Sequence, residues 1–110
     1  MATINHHGAV TVLRPEGPLR AEAIGAIDQL LQPVISAGVP YLIIDMSGTP
    51  LIDGAGLEWI LSVDDVCCRR GGCLRLCNVG ELCQDILRIT AVGASVQQFD
   101  DLTIALGSFA

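Results

Sequence analysis

The chain has 110 residues, 51% of them apolar, and its twelve acidic residues outnumber six arginines, for a formal charge of −6 without any lysine. The length suits a single domain, residues 1–110, and the apolar fraction excludes a disordered chain. An acidic surface without a basic cluster argues against nucleic acid and anionic lipid as partners.

The sequence shows no segment that would insert into a membrane. No apolar run approaches the ~20 residues that a membrane-spanning helix requires. The first seven residues, MATINHH, lack both the basic start and the long apolar stretch of a signal peptide. We therefore expect a cytoplasmic protein without membrane insertion.

The N-terminal part alternates between strand and helix patterns. Residues 8–15 alternate like a strand, and residues 2–7 are a candidate edge strand, joined to it by a turn near Gly8. Residues 20–37 carry apolar side chains at spacings of three and four, which predicts a helix that Gly38 ends. Pro33 lies inside this pattern, where it is expected to kink the helix or split off its last turn.

The central stretch, residues 42–61, reads LIIDMSGTPLIDGAGLEWIL and has the most distinctive pattern. A buried strand, Tyr41–Asp45, is followed by turn-forming residues and then by Asp53-Gly54-Ala55-Gly56, where a helix to about Arg70 begins. A helix start leaves free N–H groups at the positive end of the helix dipole, which suits an anion or a partner's carboxylate. Tight packing between strand and helix is the alternative reason for the glycines.

The C-terminal part continues the alternation. Residues 73–77 have period two, which places Leu74 and Leu76 on one face of a strand. Residues 81–91 predict a third helix with one apolar stripe, made of Leu82, Ile86 and Ile89, and with Cys83 beside it. Residues 94–98 are a short strand candidate, and Asp100-Asp101 suits the start of a last helix that runs to residue 107.

The order of these elements predicts an α/β fold. Strands that alternate with helices form a mainly parallel sheet, because parallel neighbours need a helical crossover. The first two strands add an antiparallel edge. We therefore expect one mixed sheet of four to five strands with about four helices.

The residues capable of chemistry do not predict an enzyme. Cysteines occur at five positions, Cys67, Cys68, Cys73, Cys77 and Cys83. No C-x-x-C pair is present, so buried thiols are the simpler interpretation, and a metal or redox site is the alternative. The two histidines lie together near the N-terminus, and no Ser/His/Asp arrangement is visible. We expect no catalysis, no cofactor and no metal.

The central stretch resembles the STAS domain, the family of bacterial anti-sigma factor antagonists. Residues 42–61 are similar to that family's strand, loop and Asp-Ser-Ser-Gly-Leu helix start. Gly71-Gly72 and the strand at 73–77 follow at the family's usual distance, and Thr90-Ala91-Val92 takes the place of a common Thr-Gly-Leu. The resemblance covers most of the chain and implies a STAS-like fold.

The resemblance also implies a function in protein interaction. The expected partner is an anti-sigma factor or serine kinase-like protein, or a STAS-containing scaffold, bound by a monomer or weak dimer. The implied partner-binding residues are Arg20, Asp53, Gly54, Ala55, Gly56, Leu57 and Glu58. In this family an acidic residue is common near the first loop, where this chain has Arg20.

One departure from the family concerns regulation. In regulated antagonists the residue after the motif aspartate is a serine that a partner kinase phosphorylates, which adds nearly two negative charges at a helix start. Here that position is Gly54 and the next is Ala55, so no phosphorylation is expected at the usual place. Ser47 and Thr49 are nearby hydroxyls, although turn formation explains them more simply.

Other interpretations remain open from the sequence. The domain could be an accessory subunit of a transporter, or it could bind a small molecule or metal through the cysteines or the glycine turn. Trp59 could be an exposed interface anchor, or it could pack against a neighbouring helix.

Overall fold

The computed structural model describes residues 1–90 and 92–109, which form five strands and five helices. The strands are β1 (Ala2–His7), β2 (Val10–Pro15), β3 (Tyr41–Asp45), β4 (Cys73–Cys77) and β5 (Gln97–Phe99). The helices are α1 (Ala21–Ser36), α2 (Gly54–Arg69), α3 (Glu81–Arg88), α4 (Val92–Ser95) and α5 (Leu102–Gly107). The predicted α/β class is confirmed, with the short helix α4 added.

The five strands form one sheet in the order β1-β2-β3-β4-β5. β1 runs antiparallel to β2, so that Ala2 lies opposite Pro15 and His7 opposite Val10, while the other neighbouring pairs are parallel. Gly8 has a φ of 62° in the connecting turn, a conformation that glycine adopts without steric cost. The predicted antiparallel edge is therefore confirmed.

β3 lies at the centre of the sheet and is covered on both faces. Leu42, Ile43 and Ile44 are at most 1% exposed, as expected for a strand with helices on both sides. Leu42 and Ile44 belong to the larger core cluster, which also contains apolar side chains of α1, α2, α3 and α4. Ile43 belongs to a smaller cluster on the opposite face, which α5 covers.

α1 keeps the predicted apolar stripe but not the predicted break. Its buried residues are Ile27, Leu31 and Ile35, four residues apart, and the helix continues through Pro33 to Ser36. Of the two outcomes predicted for Pro33, a split last turn is wrong: Pro33 is exposed, and the carbonyl it leaves unpaired can bond to water. Within the described ranges, no helix combines the length and apolar character that crossing a bilayer requires.

The segment after β4 differs most from the prediction. α3 ends at Arg88, and Val92–Ser95 forms a separate turn of helix, so Ala94 and Ser95 are helical rather than part of a strand. β5 begins only at Gln97. The predicted helix end at Ala91, and with it part of the Thr90-Ala91-Val92 motif, lies outside the described residues.

Candidate functional site

The predicted binding residues meet where the loops before α1 and α2 run side by side. Leu19 and Ile52 form an isolated parallel bridge, with the Leu19 N–H donating to the Leu51 carbonyl at 2.8 Å and the Asp53 N–H to the Leu19 carbonyl at 3.2 Å. This pairing brings Arg20, which precedes α1, close to the start of α2. The structure thus assembles residues that lie more than thirty positions apart in the sequence.

Asp53 holds the two helix starts together. One carboxylate oxygen accepts a hydrogen bond from the Gly56 N–H at 2.9 Å and caps α2. The other accepts from the Ala21 N–H, the first residue of α1, at 3.3 Å. Arg20, the residue before α1, makes no cap of its own with its side chain, so Asp53 supplies one from outside. Because this carboxylate already neutralises the helix start, the geometry does not favour an added anion there.

Gly56 is required for packing. A Cβ at this position would lie 2.4 Å from the Leu19 carbonyl oxygen and 2.8 Å from Cγ2 of Ile52. Position 56 must therefore stay without a side chain for α2 to approach the loop before α1. This contact supports the packing explanation for Gly56.

Gly54 has the opposite environment. It is exposed, a Cβ built on it meets nothing within 4 Å, and its φ is not in the left-handed region. Arg20 and Glu58 are also exposed, while Ala55 and Leu57 are half-buried. We refer to these five residues, Arg20, Gly54, Ala55, Leu57 and Glu58, as the α2-start surface.

Ser47 and Thr49, the two hydroxyl residues between β3 and α2, differ in accessibility. Ser47 is exposed, and its backbone N–H donates to the Asp45 carboxylate at 3.0 Å in a local turn. Thr49 is only 3% exposed, and its hydroxyl oxygen is fully buried. A kinase therefore has access to Ser47 but not to Thr49.

Asp45 and Asn78 connect the ends of β3 and β4, and no functional role was predicted for either residue from the sequence. Asp45 is 7% exposed and accepts a hydrogen bond from the Asn78 side-chain amide at 3.1 Å, which links the ends of β3 and β4. Asn78 has a φ of 54°, a conformation in which asparagine is enriched. An asparagine directly after a predicted strand was the available signal.

Trp59 packs inside the protein rather than standing at an interface. It is 7% exposed, and its indole N–H donates to an Asp28 carboxylate oxygen on α1 at 3.0 Å. The apolar ring and the polar N–H are both satisfied by contacts between the two helices. Trp59 is therefore not available as an exposed anchor.

The cysteines do not converge on one site. Cys67, Cys77 and Cys83 are buried, Cys73 is half-buried and Cys68 is exposed. Burial, with smaller contributions from neighbouring charges, raises the pKa of Cys67 and Cys77 to about 12, so both remain neutral thiols near pH 7. Among the described residues, no group of three or more His, Cys, Asp or Glu side chains could hold a metal ion. The metal interpretation of the cysteines thus gains no support.

Comparisons with known proteins agree with this architecture. An anti-sigma factor antagonist from Mycobacterium paratuberculosis superposes with a TM-score of 0.88 at 18% identity, over 98% of this chain and 92% of the other chain. The phosphorylated form of the Bacillus cell fate determinant SpoIIAA gives a TM-score of 0.76 at 15% identity, with both chains fully covered at 100%.

A third similar structure belongs to a different functional class. A sulfate transporter family protein from Wolinella succinogenes gives a TM-score of 0.76 at 23% identity, over 93% of this chain and 85% of that one. No curated protein sequence matches the chain. The family model of the STAS domain matches residues 1–105, and the chain belongs to the STAS domain family.

Proposed function

We propose that this STAS domain is a non-enzymatic interaction module that binds a partner protein through the α2-start surface. The partner we propose is an anti-sigma factor or serine kinase-like protein, or a STAS-containing scaffold. The observation that carries the proposal is the open start of α2, where Gly54 is exposed and no neighbour lies within 4 Å of its Cβ position.

The chemistry of this surface suits a protein partner. The α2-start surface combines the half-buried Leu57 with the exposed, opposite charges of Arg20 and Glu58. Transient interfaces are about as mixed in polarity as the rest of a protein surface. Asp53 supports the surface from within, because both of its oxygens are engaged by the helix starts. In this proposal, Asp53 positions the binding residues and Gly54 lies at the contact itself.

We further propose that binding is constitutive. A phosphate on a residue at position 54 would add nearly two negative charges next to Asp53 and Glu58, and it would repel an acidic or closely packed partner. Gly54 has no hydroxyl that could carry this group. Regulation by phosphorylation at the usual position therefore cannot operate in this chain.

Capture from an extract of the native host tests the proposal. The baits are the wild type, Gly54→Glu, which places a fixed negative charge on the surface, and Gly54→Ala as the matched neutral control. We expect an anti-sigma or kinase-like protein with wild type and Gly54→Ala, with or without ATP, and much less with Gly54→Glu. Equal capture by all three baits would refute the proposed surface. Capture of transporter subunits in place of an anti-sigma or kinase-like protein would refute the proposed partner and favour a role as a transporter accessory subunit.

A fourth bait tests the regulatory part separately. Gly54→Ser restores the hydroxyl at a position where the added side chain meets no neighbour. If the partner is a kinase of this family's type, capture by Gly54→Ser should fall when ATP is present, while capture by the wild type should not. Wild-type capture that falls with ATP would contradict constitutive binding.

A further inference from the structure

The sheet has two edges, and β1 forms the longer of them. β1 is the first strand in the order β1-β2-β3-β4-β5, and among the described residues no strand pairs with its outer side. All of its residues, Ala2–His7, pair one-to-one with β2, whereas the other edge strand, β5, has only three residues. The residues of β1 lie outside the α2-start surface, so this inference does not depend on the proposed function.

Every second residue of β1 directs its backbone hydrogen-bonding groups away from β2. The Glu16 N–H donates to the Met1 carbonyl at 2.7 Å, which extends the ladder between β1 and β2 by one residue pair. In an antiparallel ladder, residues bonded in this way alternate with residues whose N–H and C=O groups point to the other side. The odd-numbered residues of β1 therefore bond to β2, and the even-numbered ones present their N–H and C=O groups at the edge. These even-numbered residues are Ala2, Ile4 and His6.

β1 lacks the features with which proteins protect an exposed sheet edge. Protected edge strands are very short, or they carry a charged side chain, a proline or a bulge. β1 has six residues without proline, and its one-to-one pairing with β2 contains no bulge. Residues 1–13 include no Asp, Glu, Lys or Arg, although the whole chain has a charge of −6. A second acidic molecule of this kind therefore meets no like charge along the strand.

An apolar groove lies beside this edge, on the face of the sheet that α1 covers. Its volume is about 200 Å³. The lining residues are Met1, Ala2, Ala26, Ile27 and Leu30. Leu30 is 43% exposed, so the groove is open to solvent. Because side chains alternate along a strand, Ile4 and His6 lie on the same face as Ala2. A strand added to β1 would place its own alternate side chains over this groove.

We propose that β1 pairs with β1 of a second copy of this chain, antiparallel and around a two-fold axis at Ile4, so that the two sheets become one. In this register Ile4 lies opposite Ile4 of the second copy, and Ala2 lies opposite His6. All three positions direct their N–H and C=O groups to the edge, so each opposed pair can exchange both of its hydrogen bonds. Moving the axis to Asn5 would leave Ala2 without a partner in the other strand.

The second copy supplies the complement that this edge requires. A two-fold axis makes an interface self-complementary, because the same residues provide and receive each contact. The axis is perpendicular to the sheet, so the exposed flank of α1 around Leu30 lies on the same face in both copies. His6 of the second copy, opposite Ala2, lies on the groove side and covers the apolar lining.

Sedimentation equilibrium and amide hydrogen exchange, both on the full chain over a series of concentrations, test the proposal. We expect a weak dimer with a dissociation constant on the order of 10–100 μM, as suits an interface at the small end of the usual range. The Ile4 and His6 amides should gain protection as the concentration rises, while the Asn5 amide, which bonds to β2, is protected throughout. This alternation distinguishes strand pairing from any other mode of dimerisation.

Charges on the opposite face of β1 test the register. With the axis at Ile4, Thr3 lies opposite Asn5 of the second copy, and both side chains are exposed in the single chain. Thr3→Lys/Asn5→Lys places like charges opposite each other and should weaken the dimer at least roughly tenfold. Thr3→Glu/Asn5→Lys places opposite charges there and should dimerise at least as well as the wild type. The matched control Gln97→Lys/Thr103→Lys adds the same charge at exposed positions of β5 and α5, and should leave dimerisation unchanged.

Three results would overturn the proposal. They are a chain that stays monomeric up to about 1 mM, well above the expected dissociation constant, a dimer in which the Ile4 and His6 amides exchange as fast as in the monomer, and a dimer that Thr3→Lys/Asn5→Lys does not weaken. Pairing of β1 with a strand of another protein, while the chain alone stays monomeric, would also overturn it. Hydrogen exchange of the wild type decides the question even if a double variant fails to fold.

Discussion

Asp53 should contribute more to stability than an ordinary helix cap, because its carboxylate serves two helices. Its oxygens accept from the Gly56 N–H at 2.9 Å and from the Ala21 N–H at 3.3 Å. Loss of an N-cap costs about 1 kcal/mol, and loss of a second bond to a charged, partly exposed acceptor adds roughly 1 kcal/mol. Asp53→Ala should therefore lower the free energy of unfolding by about 2 kcal/mol.

The chain supplies a matched control for this prediction. Within the described part of the chain, Asp101 caps α5 through a single side-chain bond, to the Ile104 N–H at 2.8 Å, so Asp101→Ala should cost about 1 kcal/mol. Asp53→Asn isolates the second bond, since its amide oxygen can still cap α2 while its NH₂ group cannot accept from Ala21. We expect the free energy of unfolding of Asp53→Asn to lie between those of the wild type and Asp53→Ala.

Urea unfolding followed by the fluorescence of the single tryptophan measures these differences. The midpoints should fall in the order wild type, Asp53→Asn, Asp53→Ala, with similar m-values throughout. In thermal unfolding, the extra 1 kcal/mol of Asp53→Ala over Asp101→Ala corresponds to about 5 °C for a domain of this size. If Asp53→Ala costs no more than Asp101→Ala, the link between the two helix starts contributes nothing and the reasoning fails.

The remaining predictions concern the glycine turn, the exposed thiol and the buried tryptophan. Gly56→Ala should lower the free energy of unfolding by about 1–3 kcal/mol through the clash with the loop before α1, whereas Gly54→Ala should leave it unchanged or raise it by up to about 1 kcal/mol. Urea unfolding measures both changes, and an equal loss of stability in the two variants would contradict this prediction. Partial desolvation and the nearby Asp64 raise the pKa of the exposed Cys68 thiol. Asp64→Asn should therefore lower this pKa and speed alkylation of the thiol at a fixed pH between 7 and the pKa, as mass spectrometry would show, and an unchanged rate contradicts the coupling. Trp59→Phe should cost about 1–2 kcal/mol through the lost hydrogen bond to α1, and a neutral result in thermal unfolding would refute that role.

Local patterns predicted the elements of the fold well. Tyr41–Asp45 and Cys73–Cys77 are strands with the predicted bounds, because a short apolar run and a period-two alternation are signals contained within five residues. The caps by Asp53 and Asp101 were also predictable, since the N-cap preference depends on the residue and its immediate neighbours.

The choice between two faces of α3 was not predictable from periodicity. The predicted apolar stripe lies outward, with Leu82 54% and Ile89 85% exposed, while Cys83 and Leu87 are buried. Both sets have helical spacing, and only the position of the helix on the sheet selects between them. An eight-residue helix with apolar residues on two sides leaves this choice to the tertiary structure.

The candidate site was predicted as a set of residues but not as a set of roles. Every predicted position from Asp53 to Glu58 lies at the start of α2, and Arg20 joins them through the pairing of the two loops. The sequence did not show that Gly56 is excluded from the surface by Leu19, or that Asp53 is engaged by Ala21. These contacts join segments more than thirty residues apart, and no local pattern specifies them.

The affinity of the captured partner for position-54 variants tests the central claim most directly. Calorimetric titration of the purified partner with wild type, Gly54→Ala and Gly54→Glu compares a neutral with a charged side chain at the same exposed place. We expect equal dissociation constants for the wild type and Gly54→Ala, and one at least roughly tenfold larger for Gly54→Glu, since an unpaired charge buried at an interface is costly. Equal dissociation constants for all three proteins would place the partner on another surface and contradict the account.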